Sequence, residues 1–278
     1  MAFNTNEIST QDGRPIALYL MVWGETVWAY TSADRNVTRN EVINGVETEI
    51  EYLAVAVSDN GMVQGGSSAN DFTIDAPSNL PIVALFKGTP PSASIWLTVR
   101  RQHFGDDDAP IYWNGTVTNV KGQGAAQAQI IGKPLTASFK RTGLRLCWTR
   151  ECPHFLYDFG CKVDPEDYRV DAEIVALTGN TVTVDAVGGN PDNWFRGGYA
   201  SWEINDDGTI ERRMIENQVG TVLTMFGLTD GMEVGDTISL YPGCDRTPAT
   251  CQSKFNNLAN YGGFDFMPGQ TPFGTVIF

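Results

Sequence analysis

Histidine is nearly absent from this chain of 278 residues, in which His103 and His154 are the two histidines. So few imidazoles leave little scope for zinc sites built on histidine or for histidine-based acid–base catalysis. Long apolar runs are missing as well, because the longest, Pro15–Trp23, is far shorter than the ~20 residues of a membrane-spanning helix. The first residues carry no basic segment followed by an apolar one. We therefore expect no membrane segment and no secretory signal.

Basic residues are also scarce, since 19 Lys and Arg face 33 Asp and Glu and the formal net charge is -14. An acidic surface repels phosphate, and no run of Lys or Arg offsets it, so non-specific binding of nucleic acid is disfavoured. The hydrophobic share of 42% is too high for a disordered chain. The chain contains no G-x-S-x-G or H-E-x-x-H motif, so two common signatures of hydrolases are missing; together with the family resemblance described below, we expect a protein that is not an enzyme.

Cysteine occurs five times, an odd number that fits cytosolic metal-binding thiolates better than a secreted disulfide framework. Four cysteines form two pairs, Cys152 with Cys161 and Cys244 with Cys251. Their spacings, C-x8-C and C-x6-C, match neither the C-x2-C of common zinc sites nor a ferredoxin run. The spacing alone leaves open a four-cysteine metal site, buried free thiols or two disulfides. Cys147 is the fifth, and we expect it to be a small core residue.

Local features around these pairs favour a metal site. Pro153 and Gly160 mark turns near the first pair, and Gly243 and Pro248 do so near the second. Turns allow backbone amides to point at sulfur. Cys251 falls in the first turn of a predicted helix, where the helix dipole favours a thiolate. Four converging thiolates could hold an iron–sulfur cluster or a structural zinc.

Alternating apolar residues predict a mainly β chain with two small β-barrel or sandwich domains. The expected domains are an N-terminal β domain (1–140) and a C-terminal cysteine domain (141–278) with a β-barrel insert at about 165–242. In the first, Ile16–Tyr30 reads as two strands with a turn at Gly24, and the apolar run Ile82–Phe86 is counted among six to eight short strands. In the second, we expect a helical turn at Asp164–Tyr168, hairpin turns at Asn180 and Asn205–Gly208, and a short C-terminal helix from Thr247 to about Leu258, with Cys251, Phe255 and Leu258 on one face. A β unit whose two ends return to one place would bring the four sulfurs together.

Three other groups of residues invite a functional interpretation and are better explained structurally. Asp106–Asp108 lacks EF-hand spacing and is expected to be a solvated turn. Trp194 and Phe195 could form a sugar platform, but we interpret them as core anchors of the barrel. His103 stands beside a charged strand end and is expected to be solvated.

Several motifs of the C-terminal half resemble one family. They are Cys152-Pro-His-x-Leu-Tyr-x-x-Gly-Cys161-x-Val-Asp-Pro, Trp194-Phe195-x-Gly-Gly198, Pro242-Gly-Cys244, Cys251-x-x-Lys-Phe-Asn-Asn257 and Gly262-Gly-Phe-Asp-Phe-Met-Pro-Gly269. They look like the minor tail protein L family of lambda-type phages, and more like the related hub proteins of gene transfer agents. The resemblance covers Arg145 to the C-terminus, and the N-terminal domain is similar in pattern only. Asp265-Phe-Met departs from the family, in which a Gly-Phe-Pro-like run is frequent.

The resemblance implies a structural virion protein, made in the host cytoplasm, at the tip or baseplate of a long flexible tail. It implies a homo-oligomer, a threefold ring around the DNA channel, between the distal tail protein and the central fibre. It also implies a [4Fe–4S] cluster with Cys152, Cys161, Cys244 and Cys251 as ligands, with zinc as the alternative metal. A structural role for the cluster is expected, because a metal can replace the core that a small loop-rich unit lacks. DNA would pass an acidic channel wall without specific binding.

Two other classes of protein remain as alternatives. A tail-associated hydrolase of cell wall or capsule would need a cleft with two carboxylates roughly 5–10 Å apart. A receptor-binding tail protein would bind host cells in isolation.

Overall fold

The computed structural model describes residues 13–62, 71–103, 105–140, 147–204 and 208–267, together with residues 3, 7, 8 and 143. Most of the predicted loop 61–69, the first residues of the hairpin turn 205–208 and the tail beyond residue 267 lie outside the described residues. The chain divides into two compact units. One is Met1–Arg141 with Glu203–Glu211, and the other is Thr142–Trp202 with Arg212–Phe278. The predicted mainly β fold is confirmed.

The described part of the first unit is built on one large sheet. Its strands are β1 (Pro15–Trp23), β2 (Thr26–Thr31), β3 (Val37–Ile43), β4 (Val46–Ala54), β5 (Ser58–Asp59), β6 (Phe72–Pro77), β7 (Ile95–His103), β8 (Ile111–Gln123) and β9 (Gln127–Pro134). They join in the order β3-β4-β2-β1-β7-β8-β9-β6-β5. The predicted pair of strands around Gly24 is confirmed, because β1 and β2 form an antiparallel hairpin from Leu18↔Thr31 to Trp23↔Thr26.

Strand β1 has apolar residues on both faces. Tyr19 and Met21 belong to the larger buried cluster, whereas Leu18 and Leu20 belong to a second cluster on the other face. Successive side chains of a strand point to opposite faces. The unbroken apolar run in β1 is therefore explained by burial of both faces of the strand.

The apolar run Ile82–Phe86, counted among the strands from the sequence, forms a helix instead. Helix α1 spans Pro81–Leu85, and the adjacent residues Ile82 and Val83 are both buried. Pro81 occupies the first helical turn after the extended residue Leu80, and proline at that position is preset for a helix. A run of five apolar residues is too short for periodicity to separate a helix from a buried strand.

The remaining strands close into the predicted barrel. They are β10 (Val170–Thr178), β11 (Thr181–Val184), β12 (Tyr199–Ile204), β13 (Thr209–Val219), β14 (Val222–Met225) and β15 (Thr237–Tyr241). The closed order is β10-β11-β14-β13-β12-β15. Closure removes the unpaired edges that an open sheet of this size would expose. The predicted turn at Asn180 is confirmed, since Thr178 pairs with Thr181 across it.

Short helices flank the barrel on either side in the sequence. Before it, the predicted turn forms a 3-10 helix at Pro165–Tyr168, where the Asp164 side chain accepts the Glu166 N–H at 3.0 Å. After it, helix α2 spans Pro248–Phe255, and the Thr247 hydroxyl caps it by accepting the Thr250 N–H at 3.3 Å.

Helix α2 ends before the predicted residue. Asn256 is left-handed at φ 47° and terminates it, a conformation that asparagine adopts more readily than most residues. Cys251 and Phe255 are buried on the helix as predicted. Leu258 lies beyond it in a 3-10 turn and is 46% exposed, so the prediction that it shares their face is wrong.

The prediction that His103 is solvated is also wrong. His103 is buried, its Nδ1 accepts the Arg14 N–H at 3.0 Å, and its ring lies 5.2 Å from the ring of Phe3. Residues distant in sequence cover this strand end, which a local pattern does not show. Over the described residues, none of the helices has the length and apolarity that crossing a membrane requires.

Candidate metal centre

All four paired cysteines line one cavity within the second unit. The cavity has a volume of about 310 Å³ and its wall includes Cys152, Cys161, Cys244 and Cys251. This is on the order of ten times the ~30 Å³ that a water molecule occupies in the liquid. All four are free thiols, so the disulfide alternative is not what the structure contains.

The four cysteines lie on three segments of the chain. Cys152 and Cys161 lie in the irregular chain before the 3-10 helix Pro165–Tyr168. Cys244 follows β15 by three residues, and Cys251 lies on α2. The two pairs therefore stand at the two ends of the barrel sequence. The Cys152 N–H donates to the carbonyl of Arg246 at 3.2 Å and joins the first segment to the second.

Asp158 organises the loop between the first two cysteines. Its carboxylate accepts the Phe155 N–H at 3.0 Å and the Cys161 N–H at 2.6 Å. Burial acts to raise the pKa of Asp158, but the amide donors, those of Cys161 and Phe155 foremost, outweigh it and hold that pKa below its usual value. A charged Asp158 thus fixes the turn that presents Cys161. The role of Asp158 was not predicted from the sequence, where its signal is an aspartate three residues before a cysteine, within reach of the amides of its own turn.

Asp245 likewise organises the loop between Cys244 and Cys251. It accepts the Thr247 N–H at 3.0 Å and the Thr250 hydroxyl at 2.8 Å. Arg246, between them, has a positive φ of 63°. Cys244 and the first turn of α2 are therefore fixed relative to each other by one carboxylate.

Hydrogen-bond donors point at three of the sulfurs. The Gly262 N–H lies 3.4 Å from Cys152 Sγ, the Arg246 N–H lies 3.3 Å from Cys244 Sγ, and Asn257 Nδ2 lies 3.8 Å from Cys161 Sγ. Donors of this kind stabilise negative charge on sulfur and tune metal–thiolate groups. The fourth sulfur, that of Cys251, belongs to the N-terminal half of α2, where the helix dipole acts in the same direction.

Two close backbone contacts need glycine. A Cβ at Gly198 would overlap the Tyr241 carbonyl, and one at Gly243 would overlap the Arg196 carbonyl. A Cβ at Gly160 or at Gly262 would likewise overlap the ring of His154, which lines the cavity. Glycines that the sequence marked as turns thus also allow these segments to pack closely around the cavity.

A negative charge on one cysteine of the cavity makes ionisation of the other thiols less favourable. Burial raises the pKa of Cys251, and the negative charges of Cys244, Cys161 and Cys152 act in the same direction. Burial also raises the pKa of Cys244, and with the negative charges of Asp245, Cys161 and Cys152 it outweighs the Arg246 N–H, which lowers that pKa. The unloaded thiols of Cys244 and Cys251 are therefore protonated at neutral pH, and a bound cation has to displace their protons.

Four cysteine sulfurs are a donor set that can hold a zinc ion, about 2.3 Å from each sulfur, or an iron–sulfur cluster. Within the described residues, no group of three or more His, Cys, Asp and Glu side chains is arranged as a metal-ion site. The four thiols line one cavity, and amide donors lie at three of their sulfurs. Such donors suit the sulfur ligands of an iron–sulfur cluster.

Trp194 and Phe195 differ in their surroundings. Phe195 is completely buried, and its N–H donates to Gln218 Oε1 at 3.0 Å, which confirms it as a core anchor. Trp194 is half-buried, and the Lys254 Nζ lies 4.5 Å from the centre of its ring. An ammonium already lies against this ring, which weakens the interpretation as a sugar platform.

Cys147 lies apart from the site. It is exposed and is not part of the cavity wall. The prediction of a core position is wrong, because its neighbour Trp148 is also largely exposed and this segment lies at the surface.

Comparison with known proteins finds one family that matches part of the chain and a solved structure with a similar fold. Residues 193–271, which include Cys244 and Cys251, match the family described as phage conserved hypothetical protein BR0599. No curated protein matches the chain. Among solved structures, it is similar to a chain of a structure described as the virion of a native gene transfer agent particle, with 18% identity and a TM-score of 0.74. The match covers 99% of this chain and 95% of that chain. The chain therefore has the fold of that virion chain over almost its whole length.

Proposed function

We propose that the protein is a structural virion protein, the hub of a tail tip or baseplate in a phage or gene transfer agent. The likeness to a chain of a gene transfer agent virion over nearly the full length of both chains carries this proposal. The match of residues 193–271 to a phage family supports it independently. The motifs around the four cysteines resemble those of hub proteins, and this resemblance supports a position between the distal tail protein and the central fibre.

We infer that Cys152, Cys161, Cys244 and Cys251 hold a [4Fe–4S] cluster. The shared cavity, the free thiols and the donors at the sulfurs support this ligand set. A bound cluster supplies four metal–thiolate bonds. The cysteine pairs precede and follow the barrel in the sequence, so these ligands join its two ends. Their role is structural, because a loop-rich segment with few apolar contacts gains a cross-link in place of a core.

The same proposal includes a threefold ring of this chain around the DNA channel. The net charge of -14 supports it, because an acidic wall repels the phosphates of DNA that passes through. Such a ring needs no specific contact with DNA. A reconstruction of intact tails would test the position and the symmetry.

The first test is metal analysis of protein purified without oxygen. We expect about four irons and four acid-labile sulfides per chain, and loss of both in Cys152→Ser and Cys244→Ser. Cys147→Ser is the matched control, because Cys147 is exposed and does not line the cavity. One zinc per chain would keep the ligands and remove the iron–sulfur assignment. Neither metal in the wild type would contradict the metal site.

The hub itself is tested separately from the metal. An antibody to this chain should label the distal end of tails. Label along the tail or on the head would contradict the hub. Turnover of peptidoglycan or capsule by the isolated protein would favour a hydrolase, and binding of the isolated protein to host cells would favour a receptor-binding protein.

A further inference from the structure

Lys254 brings a positive charge next to the backbone of Cys244, one of the cysteines that line the cavity. It stands three residues after Cys251 on α2 and is half-buried. Its Nζ donates to the carbonyl of Gly243 at 2.8 Å and to the carbonyl of Trp194. Gly243 directly precedes Cys244. One ammonium thus links α2, the Trp194 turn and the backbone next to a cysteine of the cavity.

The ammonium forms no close ion pair within the described residues, and Asp245 interacts with it from a longer distance. None of the ion pairs in the described part of the chain includes Lys254. Its other neighbours are the rings of Trp194 and Phe255, whose centres lie 4.5 Å and 5.5 Å from Nζ. Two carbonyls and two ring faces offset part of the cost of burying a charge, but they do not neutralise it. A half-buried cation with no ion pair at close range is placed to interact with an anion that is bound nearby.

The four cysteines would supply that anion on binding the proposed metal group, because cysteine binds metal as a thiolate. Cys244 lines the cavity and directly follows Gly243, whose carbonyl accepts from Lys254. Water screens the attraction between Lys254 and this negative charge only weakly, because Lys254 is half-buried. Lys162, the residue after Cys161, is exposed by contrast.

We propose that Lys254 is a positioning and charge-tuning residue of the four-cysteine centre. It holds the Gly243–Cys244 backbone against the Trp194 turn and offsets negative charge at Cys244. This inference rests on the proposed cluster. When one electron from a reductant such as dithionite enters the centre, its negative charge rises by one. A neighbouring cation favours that reduced state, because charge near the site is one of the factors that set its potential.

The test compares Lys254→Met, Lys254→Gln and Lys254→Arg with the wild type, by iron content and by redox titration followed by electron paramagnetic resonance. Lys162→Met is the matched control, a lysine beside a ligand cysteine but exposed. We expect Lys254→Met to lower the ratio of reduced to oxidised centre at a fixed potential about tenfold, which for one electron is about 59 mV. Lys254→Gln should behave alike, whereas Lys254→Arg and Lys162→Met should stay within about twofold of the wild type.

Each outcome decides a different point. Wild-type protein without iron contradicts the proposed cluster, on which this inference rests, and leaves the proposed hub to its own test. Full iron content in Lys254→Met or Lys254→Gln with an unchanged ratio overturns the tuning role and leaves Lys254 a packing residue. If neither neutral variant retains iron, Lys254→Arg decides: retained iron supports the need for a cation, and lost iron overturns it.

Discussion

Asn257 hydrogen-bonds to Cys161 across 96 positions of sequence, with Nδ2 at 2.5 Å from the carbonyl oxygen. The same amide nitrogen lies 3.8 Å from the Cys161 sulfur. The Asn257 oxygen in turn accepts from Asn260 Nδ2 at 2.6 Å, which fixes the orientation of the amide. The chain after α2 is thereby joined to the loop before the barrel without any metal.

Asn257→Ala should weaken this junction. Loss of the donor leaves the Cys161 carbonyl unpaired, and we expect the free energy of unfolding to fall by about 1–3 kcal/mol. Chemical unfolding followed by hydrogen exchange at the segment that carries Cys161 measures it. Asn256→Gly is the control, because Asn256 is left-handed at φ 47° and glycine adopts that conformation freely. Equal stability of the two variants would show that the Asn257 contact contributes nothing.

Gly160→Ala and Gly262→Ala should each strain the cavity wall. A Cβ at either glycine would overlap the His154 ring, and we expect each to cost about 1–3 kcal/mol. His154→Ala should relieve much of that cost, so a double-mutant cycle with thermal unfolding gives a coupling energy. Gly122→Ala is the control, since nothing lies within 4 Å of its Cβ position. Additive effects of the glycine and histidine substitutions would rule out the collision.

Arg101→Met should destabilise the first unit. Arg101 contacts both oxygens of Asp59 at 2.7 and 2.9 Å, and the Asp59 side chain is 4% exposed. Removal of the cation leaves a buried carboxylate with the Tyr19 hydroxyl as a remaining donor, and we expect a loss of about 3–5 kcal/mol. The exposed pair Arg35–Asp34 is the comparison, where Arg35→Met should cost about 0.5 kcal/mol or less. Similar losses in urea unfolding would argue against the burial effect.

Removal of the proposed cluster should loosen the cysteine segments selectively. Chelation and oxidation take away the bonds that join the ends of the barrel, so peptides covering 150–163 and 243–261 should exchange amide hydrogen faster. Strand β7 of the first unit should keep its protection, because its ladder bonds involve no cysteine. Unchanged exchange at 150–163 would contradict a structural role for the metal.

Local patterns predicted the elements whose signals are local. The hairpin turns at Gly24 and Asn180 and the cap at Thr247 depend on residues within a few positions of each other, and each is present. The helix at Pro81–Leu85 and the strand Val37–Ile43 were not predicted. The first is too short to show a period, and the second alternates polar and apolar residues only weakly, since few of its side chains are buried.

The sequence by itself determined the β character of the chain, the caps of its short helices and the pairing of its cysteines into two clusters, because all of these are set by neighbours along the chain. Only the tertiary structure decided that the two clusters line one cavity, that Cys147 lies outside it and His103 inside the core, and that Lys254 reaches the carbonyl beside Cys244. These contacts join residues up to a hundred positions apart. The cavity depends on the closure of the barrel, which pairs β15 with β10 and so returns the end of the barrel sequence to its start, whereas the burial of His103 depends on contacts with Arg14 and Phe3. No local spacing encodes either of them.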